Sequence, residues 1–157
     1  MESSHLYIKA KITAADCANI AADAEVGPVN NFLHSLFSQV DISLNGTLIT
    51  SSTNTYPYRA YIENLLSHGP DSKESQLTAT LFYKDTPGRM TVANPRVGVD
   101  ARNHGLTKRA EFTNESRVVD LIGRLHCDIF FQERYMLNEV NTKIRLIRSR
   151  DNFCLMS

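Results

Sequence analysis

The chain has 157 residues, 42% hydrophobic and 22% charged, and its 17 Lys/Arg balance 17 Asp/Glu. That length suits one domain, and that composition excludes a disordered, collagen-like or membrane-spanning chain, since no window approaches roughly 18 apolar residues. A net charge of zero argues against a dedicated nucleic-acid-binding domain, which would be basic overall.

Two further bounds come from the ends and the cysteines. The start, MESSHLYIKAK, lacks the basic opening, apolar run and small-residue cleavage site of a secretory signal, so synthesis in the cytosol is expected. Cys17, Cys127 and Cys154 are odd in number and lack a CxxC spacing. They are expected to be bystander thiols rather than a disulfide framework or a zinc site. The balanced charge is unevenly spread: residues 1–78 hold 4 Lys/Arg and 8 Asp/Glu, whereas residues 79–157 hold 13 and 9. Complementary halves of this kind suit contacts between subunits.

Residues 6–13, LYIKAKIT, alternate apolar and polar side chains and read as a half-buried strand. An Ala/Asp-rich loop over 14–26 follows. Gly27-Pro28 can open a helix. Val29, Phe32, Leu33, Leu36 and Phe37 then form one apolar stripe. At Ser38 the period changes from 3.6 to 2: Val40, Ile42 and Leu44 alternate with Asp41 and Ser43. Asn45-Gly46 is the preferred pair for a two-residue type I′ turn, with a return strand over 47–50. The same Asn45-Gly46-Thr47, like Asn114-Glu115-Ser116, matches a glycosylation acceptor, but the turn explains Asn45 better.

A polar loop over 51–55 leads into a second helix from about 57 to 67. Tyr58, Tyr61, Ile62, Leu65 and Leu66 form its apolar stripe and are expected in the core. Gly69 and Pro70 stop it. Asp71–Glu74 resembles a capping box for a short third helix, with Leu77 and Leu81 buried beyond it. Asp85–Gly88 is a turn. Residues 89–116 read as one long irregular loop of the contact-making kind. From Val118 the alternation returns, with Val119, Leu121, Gly123, Leu125, Cys127 and Ile129 on one face and Asp120, Arg124, His126 and Asp128 on the solvated other. An apolar run over 130–137, a turn at Asn138-Glu139, a last strand over 141–149 and a tail over 151–157 complete the chain. Strands outnumber helices, so the expected fold is mainly β, a sandwich with short helical inserts.

No set of residues declares a reaction. His126 and Asp128, two apart on a strand, could chelate iron as in jelly-roll oxygenases, but no second histidine follows them. There is no G-x-S-x-G, no phosphate-binding loop and no dinucleotide fingerprint. His34 sits beside Leu33 on a helix and is a poor candidate for a ligand or a base. Lys143, Arg145, Arg148 and Arg150 could touch phosphate, but Arg148 falls on the opposite strand face from the first two, so a solvated or protein-contacting surface is the better reading. Tyr56, Tyr58 and Tyr61 could form a sugar-binding platform. Core packing explains Tyr58 and Tyr61 better. No catalytic, cofactor-binding or metal-binding residue is therefore assigned, and no cofactor is expected.

Three blocks carry a family resemblance: VGPVNNFLHSLFSQVDISLNGTLIT, STNTYPYRAYIENLLSHG and LIGRLHCDIFFQERYMLNEVNTKIRLIRSRDNF. In this order they resemble the major capsid protein of Polinton (Maverick) virus-like transposons and the related adintoviruses. The resemblance runs from about Leu6 to Ser157 and is weakest over 89–116. It implies a double jelly-roll subunit, of which residues 1–157 would be a single, partial first jelly roll with no internal boundary. It implies a structural protein without enzymatic activity that forms homotrimeric, pseudo-hexameric capsomers of an icosahedral shell. The implied partners are copies of itself, neighbouring capsomers and a penton protein, with weak nucleic-acid contact and no membrane. The implied place is the virion, after synthesis in the host cytoplasm and assembly there or in the nucleus. The family's subunit is several times longer than this chain. The alternatives are a lectin-like jelly-roll module using the tyrosines, and behind it an iron oxygenase-like domain using His126 and Asp128. Strands missing from a partial sandwich would leave bare edges, so the isolated chain is expected to associate.

Overall fold

A computed structural model of the protein describes residues 4–50, 53–133, 136 and 138–157. Strand β1 (His5–Ala10) keeps the predicted alternation, with Leu6, Ile8 and Ala10 turned inward. The loop that follows is pinned by a bridge between Thr13 and Asn19. Gly27–Pro28 form β2 instead of opening a helix. Their surroundings explain why: the Pro28 carbonyl accepts a bond from Arg109 Nε at 2.9 Å, and Val29 N–H donates to the Cys154 carbonyl. Helix α1 is cut back to Phe32–Ser35, entered through Asn31 in the left-handed region at φ 56°. Strand β3 (Phe37–Leu44) runs into Asn45-Gly46, both at positive φ as a type I′ turn requires, and β4 (Thr47–Leu48) returns.

Helix α2 (Tyr56–Ser67) lies where the sequence predicts it, with Pro57 in its first turn. Its end differs in mechanism. Gly69 stays at negative φ and precedes α3 (Pro70–Glu74), so the Gly-Pro pair opens the next helix as well as ending the last. A 3-10 turn over Gln76–Thr80 buries Leu77 and delivers Leu81 to the core, as expected. Asp85–Gly88 turns the chain, with Gly88 at φ 75°.

The predicted irregular loop over 89–116 contains a ten-residue helix, α4 (His104–Thr113). Its buried side is Gly105, Leu106, Arg109 and Thr113, a helical spacing that no apolar count detects because an arginine carries it. Strand β5 (Val119–Arg124) ends two residues before His126. Strand β6 (Thr142–Arg148) follows the predicted Asn138-Glu139 turn, in which Glu139 has φ 67°. The tail is structured: α5 (Asp151–Cys154) leads into β7 (Leu155–Met156). The loop over 51–55 and the apolar run over 130–137 lie partly outside the described residues.

Among the described residues all strand pairs are antiparallel and form three small sheets, β1-β5, β2-β7 and β4-β3-β6. The β2-β7 pair encloses the β3-β6 pair along the chain, whereas β1-β5 interleaves with it. Helix accounts for 31% and strand for 23%, so the expected dominance of strand does not hold and the fold is mixed. Two apolar clusters hold it together. One joins Phe32, Leu33, Leu81, Val119, Leu121 and Cys154; the other joins Val40, Ile42, Tyr56, Leu125, Cys127 and Phe130. α1 supplies Phe32 and Leu33 to the first, and its buried His34 reaches Tyr56 of the second.

Candidate functional site

Helix α2 has opposite faces of unexpected character. Its buried residues are Tyr56, Pro57, Ala60 and Asn64. The predicted stripe instead faces outward: Tyr58 is 58% exposed, Ile62 53% and Leu66 78%, with Leu65 also exposed. Only Tyr61 turns partly inward, where its ring lies 5.8 Å from that of Phe82. The three tyrosines therefore share no surface. Tyr56 is buried, Tyr61 packs on Phe82, and Tyr58 meets Phe153 edge-on at 5.7 Å. The expectation that Tyr58, Ile62, Leu65 and Leu66 pack in the core is corrected, because hydrogen bonding on the other face decides which side docks.

That inner face carries a connected polar cluster. The Tyr56 hydroxyl lies 3.0 Å from His34 Nδ1 and accepts from the backbone N–H of His126 at 3.4 Å. The hydroxyl can donate to His34 Nδ1 or accept from it, according to the His34 tautomer. His126 Nδ1 lies 2.6 Å from Glu63 Oε2. Arg59 Nε donates to Glu63 Oε1 at 2.6 Å, and the same guanidinium holds Asp128. The two imidazoles meet edge-to-face with ring centroids 4.6 Å apart. One turn along α2, Asn64 Nδ2 donates to Asn31 Oδ1, which also accepts from Thr80. Gly123 permits this packing: a Cβ there would stand 2.7 Å from side-chain atoms of Leu33 and Thr80 and 3.3 Å from His34 Nε2.

His126 was expected on the solvated face of its strand. It is 5% exposed, because β5 stops at Arg124 and the alternation no longer applies beyond it. Asp128 points outward to Arg59, so His126 and Asp128 do not share a strand face as the iron reading needs. Among the described residues no group of three His, Cys, Asp or Glu side chains is placed to hold a metal ion.

Burial sets the electrostatics. It pushes His34 down to about 3, with the neighbouring His126 adding to the shift. Burial also lowers His126, against the opposing pull of Glu63. It raises the Tyr56 hydroxyl and takes the Cys127 thiol up to about 11, so neither is an activated nucleophile. Asp128, and then Glu63, hold the Arg59 guanidinium above its ordinary range. A cleft of about 640 Å³ opens beside the cluster, lined by Tyr56, Arg59, His126, Cys127 and Asp128 and by Thr53 and Thr55.

A second buried polar group was missed by sequence reasoning. Arg109 is 0% exposed, pairs with Asp85 at 2.8 Å and donates to the Pro28 and Tyr83 carbonyls. Burial lowers its pKa and Asp85 opposes the shift. Of the basic tail residues, Lys143 and Arg145 project from β6 into solvent, and Arg148 pairs with Asp151.

The comparisons with known proteins are sparse. No family model matches the chain, and no solved structure matches it. Among curated proteins it is 28% identical over 129 residues to an uncharacterized protein of Caenorhabditis elegans. That alignment covers 82% of this chain and 27% of the relative, so the chain spans about a quarter of the length of the curated protein it matches.

Proposed function

We propose that the chain is a structural building block, the part of a virus-like transposon's major capsid protein whose three sequence blocks it resembles. In this reading the small antiparallel sheets belong to a jelly-roll sandwich, and the longer subunit forms trimeric, pseudo-hexameric capsomers of a shell. The work of such a block is adhesion and shape, so it turns over no substrate.

The observation that carries the reading is the outer face of α2. Four large apolar side chains, Tyr58, Ile62, Leu65 and Leu66, stand exposed on a single helix. Contiguous apolar surface rimmed by polar residues marks a contact surface. Arg59 and Glu63 supply such a rim on the same helix. The bare edges of the three sheets add backbone donors and acceptors that other strands can pair. The greater length of the C. elegans relative is in keeping with a chain that forms one part of a larger subunit.

Electron microscopy of the longer polypeptide that contains this chain tests the proposal: trimers or shells are expected, and dispersed single subunits would overturn it. For the chain itself, sedimentation should show association that Ile62→Glu with Leu66→Glu abolishes while the melting transition persists. A wild-type chain that sediments as a clean monomer with cooperative melting counts against the proposal.

A further inference from the structure

The inner face of α2 combines features that a merely structural contact does not need. Two imidazoles are buried against each other, both groups that titrate near neutral pH when free. Each is tied to α2 by one ring nitrogen, His34 Nδ1 to the Tyr56 hydroxyl and His126 Nδ1 to Glu63. Each comes from a different part of the fold, His34 from α1 and His126 from the segment after β5. α2 is thus tied to α1 and to the segment after β5 through two rings that burial disfavours charging.

We propose that His34 and His126 form an acid-sensitive latch that holds α2 against the core at neutral pH and loosens progressively as pH falls below about 6.5. The chemistry follows from the donors and acceptors. Protonating His34 makes both ring nitrogens donors, so Nδ1 cannot accept a bond from the Tyr56 hydroxyl. Protonating His126 puts a cation against the second imidazole, with ring centroids 4.6 Å apart and both side chains buried. Charging either ring raises the cost of charging the other, so a chain with both protonated is relieved only when the rings reach solvent. The cleft beside Tyr56, Arg59 and His126 gives the solvent its way in.

The surrounding charges do not cancel this penalty. From α2 the pair faces Tyr56, Arg59 and Glu63; from its own segment His126 has Cys127 and Asp128 beside it; and His68, past the end of α2, opposes a charge on His126. Glu63 favours a charged His126, but it is shared with Arg59, which disfavours one. Burial remains the largest influence on both histidines and acts against charge. Thr80 and Asn31, which face α1 and α2 from their other side, are neutral. The latch acts on the seating of α2 and does not depend on what the outer face of that helix contacts.

Hydrogen-exchange mass spectrometry on the full chain at about pH 7.5 and about pH 5.5, corrected for intrinsic exchange, tests it. Peptides covering 56–67 should lose protection about tenfold or more at the lower pH, while those covering 104–113, held by the permanently charged Arg109, should change less than threefold or so. His34→Asn with His126→Asn, which keeps a polar atom at the Nδ1 position of each ring, should abolish the difference between the two pH values. If that double variant does not fold, the histidine ring resonances of the wild-type chain decide. Rings that titrate only as α2 opens support the latch. Rings that titrate at an ordinary pKa while α2 stays protected overturn it, as does equal loss of protection in 56–67 and 104–113.

Discussion

Helices α2 and α4 both bury polar side chains, and they do it in opposite ways. α4 buries a charge that cannot be removed: Arg109, with Asp85 and two carbonyls each accepting from one of its three guanidinium nitrogens. α2 covers groups that burial disfavours charging, His34 and His126, and meets them through the Tyr56 hydroxyl and Glu63. The first arrangement is a fixed bolt whose strength is independent of pH over the physiological range. The second is conditional. The difference teaches that a buried polar contact is described by its protonation state as much as by its distance.

The largest effect should come from the bolt. Arg109→Ala takes the partner from the Pro28 and Tyr83 carbonyls and leaves the Asp85 carboxylate without its counter-charge, held by Asn103 Nδ2 at 2.9 Å. Breaking one side of a buried pair costs about 3–5 kcal/mol. Urea denaturation measures it, and a loss under about 1 kcal/mol would mean that water already shares the pair. Gly105→Ala attacks the same helix through its backbone. A Cβ there would stand 2.5 Å from the Lys84 carbonyl oxygen and 2.7 Å from that of Tyr83. Overpacking against main chain should cost about 1–3 kcal/mol, read as a lowered urea midpoint.

On the α2 side, Tyr56→Phe removes the hydroxyl that serves His34 and the His126 amide, at about 1–3 kcal/mol for unpaired buried groups. The pH profile of stability separates the two helices further. His34 is lowered from its ordinary 6.5 to about 3, so between those values the unfolded chain binds a proton that the folded chain refuses. Stability is intact above about pH 6.5 and falls as pH drops below it, by up to about 1.4 kcal/mol per pH unit for each such histidine. At the alkaline end Cys127 is raised from 9.0 to about 11, so stability falls as pH rises through that interval. Thermal melting from mildly acid to alkaline pH should show a plateau between the two limbs. A profile that rises toward acid would contradict the buried, neutral histidines. The smallest effect belongs to the exposed end of the cluster: Asp128→Asn should change the melting midpoint by no more than about 0.5 kcal/mol's worth, since exposed pairs contribute little.

The same contrast shows what was legible in the sequence. Local signals were readable. Asn45-Gly46 fixed the hairpin, Pro57 and Gly69-Pro70 bracketed α2, and the alternation of Leu6, Ile8 and Ala10 marked β1. The orientation of α2 was not readable, because the stripe rule sends the apolar side inward and cannot weigh the bonds that Tyr56, Glu63 and Asn64 make on the opposite side. α4 was hidden by Gly105 in its first turn and by an arginine at the centre of its buried face. The pairing of Gly27–Pro28 with Leu155–Met156 joins two short segments with no periodicity at all. His126 was misplaced because period two was carried past the end of β5. Of the candidate site, neither the burial of His34 nor its partners were readable, since His34 lies off the apolar stripe of its helix.

Strand β6 lies at the border of its sheet among the described residues, and its sequence TKIRLIR places Lys143, Arg145 and Arg148 along that border with no acidic residue among them. Two identical borders approaching each other bring like charges together, so self-pairing there is discouraged while a strand rich in carboxylates is welcomed. Ionic strength should set how firmly that preference is enforced, because concentrated salt shortens the reach of the cations.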